Sequence, residues 1–130
     1  MSEPIVFISH FKVKEGKLDS FKQQSQKVTG QIQSDKPGTV AFLQYSNEEG
    51  TALSIIHVFP DADAFDQHVA GVEERAKQAV EFIEPTSREV YGMPSDQVLA
   101  MLKPPDESGI DFRIMPNPTG GYIRLERGVL

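Results

Sequence analysis

The chain opens with a β-branched and aromatic run, Ile5–Val13, and then changes period: Leu18, Phe21, Ser25, Val28 and Ile32 recur every three or four residues. That spacing lays one apolar stripe along a helix starting at about Lys17, with Lys22, Gln23, Gln24, Lys27 and Gln31 left toward water. A strand-like run returns near Val40–Tyr45, and the pattern repeats. Ala52–Phe59 reads as a third strand, Pro60-Asp61 opens a second helix, and a fourth strand is expected near Arg88–Tyr91. The order βαββαβ predicts an α+β fold, a ferredoxin-like half-barrel whose antiparallel sheet carries its helices on one face.

The breaks fall where this order needs them. Lys36-Pro37-Gly38 removes a backbone donor and supplies a permissive turn residue, and Asn47–Gly50 closes the hairpin between strands two and three. The second helix is expected to bend near Gly71 and to continue through Glu73–Glu84, with Phe65, Val69, Val72, Ala76, Ala79, Val80 and Ile83 inward. Strand three is apolar on both alternating sets, Leu53, Ile55, His57 and Phe59 against Ala52, Ser54, Ile56 and Val58, so neither sheet face looks built for water. One face takes the helices. The other is expected to meet the same face of a second copy, making a homodimer.

After Tyr91 the pattern changes, which divides the chain into residues 1–92 and an extension, 93–130, expected to pack on the same domain. Pro94-Ser95-Asp96 starts a short helix with Val98, Leu99, Met101 and Leu102 apolar, and Pro104-Pro105 stops it. Phe112–Met115 and Tyr122–Leu125 flank a proline- and glycine-rich turn and read as a hairpin in an edge position.

Composition narrows the function. The 130 residues carry a net charge of −6, with the acidic excess after residue 40, so nucleic acid is not an expected partner. The absence of cysteine excludes disulfides, thiolate nucleophiles and cysteine-based zinc sites. No leader is evident before Ile5 and no apolar run is long enough to cross a bilayer, so a soluble, cytoplasmic protein without membrane contact is expected. The three histidines are too widely spaced to suggest a metal site, and no phosphate loop or nucleophile elbow is present.

Several of these segments, taken in order, are familiar. Phe11–Lys17 with its Lys14-Glu15-Gly16 turn, the following apolar stripe, Lys36-Pro37-Gly38-Thr39, and a strand ending in an aromatic before Asp61–His68 together resemble the antibiotic biosynthesis monooxygenase family. The resemblance covers about residues 4–92. It implies a dimeric α+β barrel, with a pocket in each subunit between sheet and helices. It also implies oxidation of phenolic or quinol-like substrates without metal or flavin. His68 matches a histidine of the family's second helix and Phe59 the aromatic ending strand three. His57 stands where many members have glutamate, and Glu73 and Glu74 stand where many have a second histidine. The family's haem-degrading branch is disfavoured, because the chain has no tryptophan.

A cofactor-free oxygenase needs a base of near-neutral pKa in an apolar pocket. His57 is the candidate: by phase it shares a face with Leu53, Ile55 and Phe59, and it is expected to look into the pocket. Tyr45 and Tyr91, at strand ends, are candidates to hydrogen-bond a phenolate, and Phe42, Phe59, Phe65 and His68 to bind substrate. Ordinary roles stand beside these. Buried histidines are often satisfied structurally, strand-end tyrosines usually pack, and Asp66 and Gln67 suggest that His68 lies on an exposed helix surface. His10 reads as structural or interfacial; Arg88 could stabilise an anionic substrate, but a surface ion pair with Glu84 or Glu89 is the favoured reading. The expected activity is that of a monooxygenase-like enzyme on a small hydrophobic molecule, with no cofactor. The competing expectation is a noncatalytic dimeric barrel that binds such a molecule or serves as an interaction module.

Overall fold

In the computed structural model, which describes residues 3–124, four strands and three helices follow the expected order: β1 (Ile5–Val13), α1 (Leu18–Asp35), β2 (Ala41–Ser46), β3 (Ala52–Phe59), α2 (Ala62–Val69), α3 (Val72–Ala79) and β4 (Ile83–Tyr91). The extension adds α4 (Asp96–Leu102), a 3-10 turn at Asp106–Ser108, and β5 (Asp111–Met115). The sheet order is β2-β3-β1-β4-β5, antiparallel except for the parallel β4–β5 pair.

Two segments differ from the sequence reading. The second helix does not run on to Glu84: it breaks at Gly71, whose φ of +86° is a left-handed conformation, and the chain is already in β4 at Ile83. The C-terminal hairpin is replaced by a single strand. Phe112–Met115 pairs with β4, while Tyr122–Arg124 form no strand and Leu125 lies outside the described residues. Pro116 and Pro118 lack the amide donors that a returning strand would need, and β4 offers a ready edge.

Packing follows side-chain phase. Ile5, Phe7, Ser9 and Phe11 of β1 face the helices together with Phe59, His57, Ile55 and Leu53 of β3, their direct partners, and Val13 continues the same side. The pairing of β1 with β4 slips between His10 and Phe11, leaving Thr86 as an extra residue without a partner. The buried core is divided. One cluster gathers Ile5, Phe59, Phe65, Val90, Val98 and Leu102, so α4 is part of the core. The other gathers Val13, Phe21, Leu53 and Ile83 at the far end of the sheet. Between the two clusters the helices stand off the sheet.

Among the described residues no helix packs on the opposite sheet face. Leu43, Ile56 and Ile8 form a continuous apolar row across β2, β3 and β1. Beside it runs a polar chain, in which His10 binds Ser54 and Glu89 at 2.7 Å each and the Tyr91 hydroxyl donates to Glu89. That hydrogen bond is the main reason that the Glu89 carboxyl lies below, and the Tyr91 phenol above, its ordinary pKa.

Candidate active site

The gap between the core clusters is a cavity of about 520 Å³, within the range of small-molecule sites. Its floor is the helix-facing side of β1–β4, and its walls are α1, α2 and α3, with Met101 and Leu102 of α4 at one end. The first helix leaves room because Ser25 and Val28, on its apolar stripe, are only half-buried while Phe21 and Ile32 anchor its ends.

Two imidazoles border this space. His57 is 6% exposed and His68 is 4% exposed, and their rings meet edge to face at 5.0 Å. His57 Nδ1–H donates to the Phe7 carbonyl at 3.0 Å, which fixes the tautomer and leaves Nε2 as the unprotonated nitrogen. His68 Nδ1 shares a 2.7 Å hydrogen bond with the Thr39 hydroxyl. Among the described residues neither Nε2 has a protein partner, and no buried polar side-chain atom is sealed without one, so both nitrogens open on the cavity.

Aromatic packing holds the rings. Phe7 stacks on His57 at 4.9 Å and Phe42 meets it edge-on at 5.2 Å. Phe59 supports the two histidines from behind and is itself stacked on Phe65 at 4.4 Å. Burial lowers the His57 pKa to about 4, against the opposing effect of the Phe7 hydrogen bond and with a small push from Arg75. Burial, then the neighbouring charges of His57, Arg75 and Lys36, lower that of His68 to about 3. Both rings are therefore neutral at pH 7.

Local signals place these groups. The Asp61 carboxylate accepts from the Ala64 amide and starts α2, so that His68 falls on its inward face. Gly38 keeps the preceding loop against α2, because a Cβ there would lie 2.9 Å from Ala64 Cβ. Arg75 donates to the His68 and Ala70 carbonyls and closes the C-terminal end of α2. Ser95 accepts from Val98 and donates to Asp66, tying α4 to α2.

The expected site is thus assembled in part. His57, Phe42, Phe65 and His68 come together at the cavity, whereas Phe59 is fully buried beneath it. His68 is not on an exposed surface: Gln67 faces water and Asp66 is half-buried against Ser95, while His68, about 100° further round the helix than Gln67, points in. Tyr45 and Tyr91 do not converge on His57. They pair with Ser54 and Val6, on the opposite sheet face, and Tyr45 is 60% exposed. Sequence reading missed Thr39, Ser9 and Arg75, and placed Arg88 at the surface, although it lines the cavity and donates to the Leu102 carbonyl at 2.7 Å. Among the described residues no three histidine, aspartate or glutamate side chains gather as a metal site, and no helix is long and apolar enough to cross a membrane.

The antibiotic biosynthesis monooxygenase family profile matches residues 4–84, well over half of the chain. The chain belongs to that family. Among solved structures, MupZ from Pseudomonas fluorescens superposes with a TM-score of 0.69 at 20% identity, covering 93% of this chain and 91% of its own. SnoaB, a cofactor-independent oxygenase from Streptomyces nogalater, gives a TM-score of 0.60 at 18% identity over 72% of this chain and 96% of its own. The coverage by MupZ extends beyond the family-matched segment into the region of α4 and β5. A search of curated proteins found no match. At these identities the superpositions speak for the fold of the family, which the half-barrel shares.

Proposed function

We propose that this protein is a monooxygenase-like enzyme that acts, without metal or flavin, on a small hydrophobic molecule of quinol or phenol type held in the cavity. The observation that carries this reading is the pair of neutral imidazoles whose free nitrogens open on an apolar space. His57 Nε2 accepts the proton of the bound hydroxyl. With Thr39 donating to Nδ1, His68 presents Nε2–H and steadies the oxygen that becomes negative. The electron-rich anion then meets molecular oxygen in a space poor in water and supplies all four electrons itself. One oxygen atom enters the ring as a carbonyl, the ring carbon and the hydroxyl each give up a hydrogen, and the second oxygen atom leaves as water, so the product is a quinone.

The pKa of about 4 constrains the substrate. An ordinary phenol near pH 10 would lie about six pKa units, roughly 8 kcal/mol, uphill of this base, and an ion pair in contact returns only about 4 kcal/mol. The site is therefore suited to hydroxyls already acidified by conjugation with a carbonyl, as in hydroxylated quinols.

The apolar row on the uncovered sheet face supports a homodimer. The cysteine-free composition supports a cytoplasmic setting, and the acidic charge argues against nucleic acid as a partner.

Oxygen consumption measured against a panel of quinols and carbonyl-conjugated phenols tests the activity. Turnover that falls by about 10²- to 10⁴-fold in His57→Gln is the expected result. Saturable binding without oxygen uptake across the panel would instead leave a noncatalytic ligand-binding barrel.

A further inference from the structure

Ser9 and Arg88 stand directly opposite each other on β1 and β4, both on the helix-facing side, and both line the cavity. Ser9 is 6% exposed, and among the described residues its hydroxyl has no protein hydrogen-bond partner. Because no buried polar side-chain atom is sealed without one, the hydroxyl meets the cavity. Arg88 is half-buried with its charge intact, since burial lowers its pKa only from a very high starting value. One of its N–H groups is bound, to the Leu102 carbonyl. No carboxylate among the described residues lies within ion-pair distance of it: Glu89 binds His10 and Tyr91 on the other sheet face, and Glu84 is exposed opposite Lys12. Among the described residues the one acid lining the cavity, Glu73, is exposed on the first turn of α3. A guanidinium with free donors and an unpartnered buried hydroxyl thus share one spot in a largely apolar space, whose other cation, Arg75, is engaged with the His68 and Ala70 carbonyls.

We propose that Ser9 and Arg88 form an anion subsite, and that the molecule bound in the cavity carries a carboxylate seated there. The inference rests on the reading of this cavity as a small-molecule site and names the chemical class it takes. Across the sheet, Ser9 is the diagonal neighbour of His57, at about 7–8 Å between Cα positions. That separation is spanned by an aromatic or enolic ring with its acid group at one end and its reacting hydroxyl at the other. A planar acid of one to three rings fits the volume.

The test is a comparison of 2-naphthoate with its neutral isostere 2-naphthamide by isothermal titration calorimetry at pH 7, with neither probe able to turn over. The wild-type protein is expected to bind the acid at least about ten-fold more tightly, the scale of a charge-assisted hydrogen bond. Ser9→Ala and Arg88→Gln each reduce that ratio to about three-fold or less, mainly by weakening the acid. Arg88 also closes the end of α4, so Ser9→Ala, which leaves that contact alone, decides the matter if Arg88→Gln does not fold. Equal binding of acid and amide overturns the subsite but leaves the hydrophobic site standing, as does an acid preference that survives the substitutions. Failure of both probes to bind overturns the subsite together with the reading of the cavity.

Discussion

His57 and His68 meet edge to face with 5.0 Å between ring centroids, one projecting up from β3 and the other down from α2. The contact spans the two layers of the fold at the cavity wall. Two imidazolium rings so close would repel by several kcal/mol at the effective dielectric of a protein interior, so the pair carries at most one positive charge under ordinary conditions. Neutrality of both is thus a structural property as well as a chemical one.

Acid should therefore destabilise the protein through these rings. Each histidine titrates from 6.5 when unfolded to about 4 or about 3 when folded, so the unfolded chain binds more protons below pH 6.5. The stabilisation is complete above that pH and is withdrawn as the pH falls toward the folded values. Between pH 7 and 5 the loss is roughly 2 kcal/mol per histidine, or a fall of about 10 °C or more in Tm for the pair. Thermal melts across this range should show it, with a shallower dependence in His57→Gln; an identical slope in that variant would remove the assignment.

Thr39→Val should loosen the orientation of His68 while retaining the fold. Loss of the 2.7 Å hydrogen bond is expected to cost about 1 kcal/mol of stability. Two-dimensional ¹⁵N spectra of the imidazoles should give a single Nε2–H tautomer for His68 in the wild type and a mixture in the variant. An Nδ1–H tautomer in the wild type would reverse the assigned donor.

The uncovered sheet face should drive self-association. Sedimentation at micromolar concentration is expected to give twice the 14.4 kDa chain mass. Ile56→Glu, in the row with Leu43 and Ile8, is expected to give monomers without disturbing the cavity on the other side. A compact wild-type monomer would refute this.

Leu102→Ala should cost about 2–4 kcal/mol in denaturant unfolding, since Leu102 is buried in the same cluster as Phe59 and Val90. A loss below 1 kcal/mol would mean that α4 is an appendage instead of a part of the core.

Much of this was legible in the chain because local period and tertiary environment agree. The two-sided apolarity of β3 and the stripe of α1 each admit one packing, and alternation placed His57 correctly on the helix-facing side. The tyrosines were misplaced for the same reason that His57 was not. Tyr45 is out of phase with Phe42, and Tyr91 with Val90, so neither can share a face with His57. Thr39 carries no signal beyond its place after a turn, because its role exists only through a partner 29 residues away. Arg88 looked like a surface residue because Glu89 beside it and Glu84 nearby are charged, yet adjacent residues in a strand point to opposite faces.

Thr86, the extra residue of β4, lets one strand satisfy two incompatible alternations. Val90 and Arg88 face the helices on one side of it, Ile83 on the other, and strict alternation from Val90 would have turned Ile83 outward. An in-frame deletion of this one codon would force a choice between losing Ile83 from the second core cluster and turning Arg88 out of the cavity. Point substitutions at Thr86, which has no ladder partner to disturb, change neither. Divergence of this segment is therefore constrained in length much more than in composition, and a relative that lacks the extra residue would be expected to place its cavity cation on a different strand.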